Sequence, residues 1–506
     1  MITSALGSAV TISLPYVGKD LNVQKDELQW VLSAYSISSA CFLLLCGRLA
    51  DLYGRKFVWL IGYLITGICG LTASFARSGI TLDIMRGIQG IGAAAMIPAS
   101  LGILSKAFPP GPSRSIAFAT FSAGAPIGSA FSTVFSSFLT QLTSPSWRSP
   151  LYLLSGFTFA CLILGFFAID EDEPSTEEDR RVDWIGAALI TCGLILVVFV
   201  LSDIPTARDG WRNPHIVGLF FTGILLVLLF ALWQYYLERR LENTDLPRTR
   251  WTAPPLMKPS MWTHADGRFA VMQIIACVNW AAFSCWLVWV QIYYQTYLNL
   301  TPIQTMLRIL PMFFSGVVAN IIVALIIGRI DVVYIVAVGT LLTGCANIYF
   351  AVIDPRASYW ATGFPSACLV VLGADFTFAS GTMFISKVSP PNEQSVAGGL
   401  FQAMTQIGST IGLSVSTIVF NWVLKAQSSS LGVSGDQGRD DAPRESQPKA
   451  YQAAMWTGFA FGILCTMMCV FLRGVGIVGT TPTQEAEEVD RQGHESRHEK
   501  ECDVHV

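Results

Sequence analysis

Thirteen apolar stretches, each closed off by polar or charged residues, govern what this chain can become. They cover 28–49, 57–76, 80–104, 115–138, 149–168, 184–201, 216–236, 269–297, 303–327, 332–352, 359–385, 394–424 and 453–472. A helix needs about 20 apolar residues to cross a hydrocarbon core. A fourteenth stretch, 1–17, is apolar but shorter. None of them alternates with the period of a strand. Lipid leaves backbone groups no water to bond, so a bundle of helices is the expected architecture. Composition agrees: 52% of the 506 residues are hydrophobic and 13% are charged, against roughly 25% charged in a soluble chain. A cytosolic enzyme is thereby excluded. With 32 basic and 35 acidic residues there is no polybasic footprint, and no nucleic-acid partner is expected. The fold class expected is all-α, a polytopic membrane helical bundle with the lipid bilayer as its partner, working as a monomer.

The chemistry that is missing narrows the function further. No Gly-x-x-x-x-Gly-Lys-Ser/Thr loop is present, so ATP is not the direct energy source. There is no His-Glu-x-x-His and no Gly-x-Ser-x-Gly. All five histidines (His215, His264, His494, His498, His505) lie outside the apolar stretches, and eleven of the twelve cysteines lie inside them, where a thiol behaves as a small hydrophobe. No metal and no cofactor are expected.

Positive charge sets orientation. With 1–17 as the first span, one set of loops holds fifteen bases: Arg48, Arg55, Lys56, Lys106, Arg114, Arg180, Arg181, Arg239, Arg240, Arg248, Arg250, Lys258, Arg268, Arg329 and Lys387. The opposite loops hold seven: Lys19, Lys25, Arg77, Arg148, Arg208, Arg212 and Arg356. Both termini are therefore expected in the cytoplasm, with the plasma membrane, or a vacuolar one, as the location. The loop 425–452 and the tail 473–506 are polar and expected to be disordered. The run Asp170 to Asp179 reads as a solvated acidic linker.

A repeat is hidden in the chain. Gly47-Arg48-Leu49-Ala50-Asp51 returns, one residue shorter, as Gly328-Arg329-Ile330-Asp331, and Ser105-Lys106-Ala107-Phe108-Pro109-Pro110 returns as Ser386-Lys387-Val388-Ser389-Pro390-Pro391, both at an offset of 281. Ser115-Ile116-Ala117 returns as Ser395-Val396-Ala397, and Ile127-Gly128-Ser129 as Ile407-Gly408-Ser409, at 280. The offset spans eight apolar stretches, an even number, so the copies point the same way. Two parallel six-helix halves with two inserted helices follow, an arrangement in which substrate sits near the midplane between halves. The organisation expected is a first half over 1–168, a linker with the inserted pair and a loop over 169–268, a second half over 269–472, and a tail over 473–506. Applying the offset to 269–297 starts the first helix about twelve residues before Met1, so that helix reads as incomplete. A signal peptide is disfavoured for 1–17, which has no basic start and no Ala-x-Ala site before Pro15 ends it.

The residues also resemble a family. Gly47-Arg48-Leu49-Ala50-Asp51-Leu52-Tyr53-Gly54-Arg55-Lys56 closely resembles the loop signature of major facilitator transporters. Arg86-Gly87-Ile88-Gln89-Gly90-Ile91-Gly92-Ala93-Ala94 is similar to their fourth-helix motif, and Asp183-Trp184-Ile185-Gly186-Ala187 to the fourteen-spanner drug:proton antiporters. Trp30 to Tyr35, Phe121 to Pro126 and Gly373-Ala374-Asp375-Phe376 resemble a fungal branch with aminotriazole-resistance, boron-export and ammonium-transport relatives. The resemblance runs from about residue 5 to 472, and implies fourteen spans, the first one truncated. It implies proton-coupled efflux of a small organic compound (a drug, toxin or secondary metabolite) by alternating access. An uncoupled facilitator or importer of a small polar solute, and a non-transporting sensor or remnant, stay open.

Site residues follow, each with a plainer alternative. Gly47, Arg48, Asp51, Gly54, Arg55 and Lys56 are expected to form a cytoplasmic latch, Asp51 facing the start of span thirteen with Asn392 as a cap there; topology and capping alone would also explain the bases. Charge inside the membrane is costly and usually functional. Arg86 and Asp375 are the coupling candidates; the first can instead bind backbone carbonyls, the second can be a helix-packing residue. Asp83 and Arg308 lie nearer helix ends. Where the family usually carries an acid in its first helix, this chain has Gly7. Gly124, Pro126 and Gly128 form an antiporter-type helix face, in which Ala125 replaces the usual glycine, or ordinary small-residue packing. Tyr35, Gln89, Trp289, Gln291, Gln402 and Gln406, with Trp280 and Tyr294, are cavity candidates, although membrane aromatics commonly just pack.

Overall fold

The computed structural model describes residues 1–23, 25–109, 111–172, 179–203, 213–242, 253–353, 358–391, 393–430 and 443–477. Those residues form an all-helical bundle. The first helices are α1 (Ile2–Leu21), α2 (Lys25–Cys41), α3 (Leu43–Tyr53), α4 (Arg55–Ser74), α5 (Gly79–Ala107), α6 (Pro112–Leu142) and α7 (Arg148–Ala168). The inserted pair is α8 (Trp184–Asp203) and α9 (Pro214–Glu242). Then come α10 (Arg268–Ile292), α11 (Pro302–Ile309), α12 (Pro311–Ile326), α13 (Val332–Ala351), α14 (Tyr359–Val388), α15 (Gln394–Ser430) and α16 (Gln447–Met468).

Eleven of the described helices are long and apolar enough to cross a membrane, or twelve when α2 and α3 are taken as one span bent by 46°. The helices α1 and α6 stand outside that set, α6 because Ser, Thr and Gly punctuate it throughout. The stretch 28–49 therefore lies within two helices broken at Phe42, and 303–327 within two broken at Pro311, whose ring removes a backbone donor. Two readings of loops need correction. The α1 helix continues past position 15 to Leu21. The stretch 425–452 is helical at both ends, since α15 runs to Ser430 and α16 starts at Gln447; its middle, 431–442, the tail beyond 477, the linker residues 173–178 and Asn392 lie outside the described residues.

Helices α1 to α7 pack mainly with one another, as do α10 to α16, and the groups meet where α15 lies on α3 and α5 and where α6 lies on α12 and α14. The repeat becomes visible at that seam. The hydroxyls of Ser105 and Ser386, equivalent residues 281 apart, touch at 2.6 Å. Equivalent atoms of two copies meet only on the axis relating them, so this contact marks the pseudo-two-fold. Glycines allow the close crossing: a Cβ on Gly47 would sit 2.9 Å from the Ser395 carbonyl, and one on Gly399 2.9 Å from that of Leu43.

Candidate functional site

Hydrogen bonds between the halves gather at one end of the bundle, the end carrying Arg48, Arg55, Lys106 and Lys387. Asp51 is buried at the last turn of α3. One of its oxygens accepts from the backbone N–H of Val396 (3.1 Å), in the first turn of α15. The other accepts from Arg55 at 2.9 Å. Arg55 also donates to the carbonyls of Gly102 (2.8 Å) and of Pro391 (2.5 Å). A free helix-start N–H and its dipole suit a carboxylate, and each charge-assisted bond here contributes about 1.5–3 kcal/mol. Arg48 is buried and Lys56 points away, donating to the Ile169 carbonyl at 2.5 Å. On the axis, Arg114 from the start of α6 donates to the Ser386 carbonyl (3.2 Å) and to its hydroxyl.

Two participants at this end were not legible in the sequence. Arg114 counted there only as a loop base. Asp172, in the acidic linker, is not merely solvated: it accepts from the N–H groups of Lys56 (3.0 Å) and Phe57 (3.1 Å), capping α4 from across the chain. That explains Gly54. Its φ of 113° is in the left-handed region, and a Cβ there would run into the Asp172 carboxylate. The signal available was the unfilled cap position before α4.

Arg86 is fully buried. Its guanidinium donates to the carbonyl of Val31 (3.2 Å), to that of Leu6 (3.3 Å) and to the Gln89 amide oxygen (2.7 Å), and lies 4.4 Å over the Tyr35 ring. Gln89 in turn donates to the Thr66 carbonyl at 3.2 Å, and Tyr35 to that of Thr3 at 3.1 Å. The arginine thus ties α1, α2, α4 and α5 together. Tyr35 and Gln89 are engaged in this knot and do not line the cavity.

That cavity, about 540 Å³ between the halves, is lined by α1, α4, α5, α6, α10, α11, α12, α14 and α15. Gln291, Gln402, Gln406 and Trp280 line it, joined by Gln295, Trp59, Tyr63, Phe121, Phe283, Phe313 and Phe378. Trp289 and Tyr294 do not. Trp289 stacks on Phe420 at 4.4 Å and donates to Ser416 at 2.8 Å, so it is core; Tyr294 is buried beside Phe350 and Arg308. On α6, Pro126 lines the cavity and packs on Gly316 of α12, while Gly124 and Gly128 face the start of α1. Asp375 is the one charged side chain lining the cavity among the described residues, and it accepts from the Asn320 amide at 2.9 Å. Gly7 has open space where a side chain would begin.

The cavity lies between the halves, and at one end Asp51 joins them through the first turn of α15. The sequence profile of the Major Facilitator Superfamily matches residues 1–413. The chain belongs to the major facilitator superfamily. Among its superfamily relatives, it is similar to the low affinity ammonium transporter of Saccharomyces cerevisiae, 27% identical over 77% of this chain and 73% of that one. It is similar to the major facilitator superfamily multidrug transporter mfsC of Aspergillus fumigatus, 27% identical over 80% and 74% of the two chains. Its fold matches that of the human organic anion transporter MFSD10, with a TM-score of 0.62 over 92% of this chain and 96% of that one at 13% identity. It is a multi-pass membrane transporter of this superfamily, not an enzyme.

Proposed function

We propose that this transporter exports a small, neutral or cationic organic compound in exchange for protons, by alternating access between its two six-helix halves. The observation that carries the reading is the cavity: it lies between the halves, its walls are rich in aromatic rings and amides, and it holds one carboxyl, Asp375. Ligand pockets are commonly apolar with few polar groups, at about 300–1,000 Å³. A lone buried carboxyl disfavours an anion and attracts a cation, and it has somewhere to put a proton when the cation leaves. Relatives named multidrug transporters support an organic substrate. The seam at Asp51 and Arg55 supports a gate that is made in one access state and broken in the other. In this reading α1 and α6 complete fourteen spans, both termini lie in the cytoplasm, the gate is cytoplasmic, and the plasma membrane is the site of export.

The test uses proteoliposomes holding the full chain, with ethidium and tetraphenylphosphonium as probes. An imposed proton gradient is expected to drive their movement against concentration, and a protonophore to abolish it. Asp375→Asn is expected to cut gradient-driven transport at least tenfold while probe exchange at equal pH persists. Movement indifferent to the gradient would mean an uncoupled facilitator instead.

A further inference from the structure

We infer that the inserted helix pair braces the gate, with Lys258, in the segment that follows the pair, acting as the positioning residue for the first turn of α15. The inference rests on the alternating-access reading, and three sets of contacts carry it.

The first is where α8 lies. It packs on α2 of the first half and on α15 of the second. Thr191 donates to the Cys41 carbonyl at 3.5 Å, Trp30 stacks on Phe199 at 5.2 Å, and Ser414 donates to the Leu201 carbonyl at 2.5 Å. An element bonded to both halves cannot be indifferent to their separation.

The second is a buried knot that makes the pair and its exit segment one unit. Asp183, 3% exposed, accepts from the Gly186 N–H (2.9 Å), the Trp233 indole (3.0 Å) and the Gln234 amide (2.7 Å). The Gln234 oxygen then accepts from the N–H of Met257 at 3.1 Å. Leu256, Met257 and Met261 are buried in the core cluster that contains Val396 and Phe384. A fully bonded polar knot of this kind specifies one geometry.

The third is the delivery point. Lys258 pairs with Glu393 at 2.6 Å. Glu393 is buried, and its carbonyl accepts the first helical bond of α15, from Ala397 at 2.9 Å. Three residues on, Val396 gives its N–H to Asp51, and two residues before, the Pro391 carbonyl takes Arg55. The same turn is therefore held by the gate from one side and by Lys258 from the other. With Lys258 gone, Glu393 is a buried charge without its cation, a costly state relieved by moving the turn, and the Val396 N–H moves with it.

Hydrogen exchange on the purified full chain in lipid nanodiscs, without ligand, reads this directly, because local opening governs exchange. Lys258→Met is expected to speed exchange in peptides covering 391–400 and 43–53 by roughly three- to tenfold, leaving α16 unchanged. The double variant Lys258→Glu with Glu393→Lys is expected to restore both. Unchanged exchange at 391–400, or a change there that does not reach 43–53, overturns the inference. So does exchange that rises along the whole chain and is not restored by the swap, which marks a merely structural role. No substrate is used, so this result stands apart from whether protons drive transport.

Discussion

Arg86 is fully buried, and three of its N–H groups go to two backbone carbonyls and one amide oxygen. A lysine has one point charge on a flexible stem and cannot reproduce a planar fork that bonds in three directions. Arg86→Lys is expected to lower stability by about 2 kcal/mol in a thermal-unfolding measurement on purified protein, with Gln89→Ala costing less because only one arm of the knot is lost. An Arg86→Lys protein as stable as the parent would show the knot to be dispensable. At this scale the sequence pointed to Arg86 and Asp375 because charge in lipid is rare and conspicuous, and to Asp51 because it sits in the Gly47 to Lys56 loop motif. It could not sort the aromatics and amides. Trp289 and Trp280 lie on one helix, two and a half turns apart, and only the packing of α10 sends one into the core and the other to the cavity. Asp51→Asn should leave insertion unchanged and reduce transport at least tenfold, since the amide loses the ion pair with Arg55 and weakens the bond from Val396; wild-type transport rates in vesicles would speak against a gate here.

Element by element, most apolar stretches became helices with ends within a few residues of those expected: 149–168 is α7, Arg148–Ala168, and 332–352 is α13, Val332–Ala351. The exceptions are the break at Pro311, where a backbone donor is missing, and the 46° bend at Phe42. The start of α4 shows what a local reading misses. Gly54 has no side chain to cap the helix, and the cap comes from Asp172, more than a hundred residues later. Gly54→Ala combines a left-handed backbone strain of about 1–2 kcal/mol with displacement of that carboxylate. Its expected result is a loss of stability larger than for Asp172→Ala, and the two losses should not add, because both remove the same cap. Additive losses in thermal unfolding would mean that Gly54 and Asp172 act separately.

Across the whole molecule, the loop charges make a statement about sidedness. In a cysteine-free background, Lys387→Cys lies at the basic end and Ser144→Cys between α6 and α7, both exposed. A membrane-impermeant maleimide added to intact cells is expected to label Ser144→Cys and to reach Lys387→Cys only after permeabilisation; the reverse pattern would invert the topology. The charge pattern along the chain determined a great deal by itself. Hydrophobic length specified a helical membrane protein, and the offset of 281 specified two parallel copies, because burial in lipid and internal symmetry are both written linearly. The tertiary structure decided what those copies do to each other. It put Ser105 against Ser386 on the axis, set Asp51 on the first turn of α15, left Asp375 on the wall of a shared cavity and brought Lys258, from the segment after the inserted pair, onto Glu393 at the start of α15. These are contacts between residues tens to hundreds of positions apart. Their geometry depends on how twelve or more helices cross, and no period or motif in one stretch of chain encodes that.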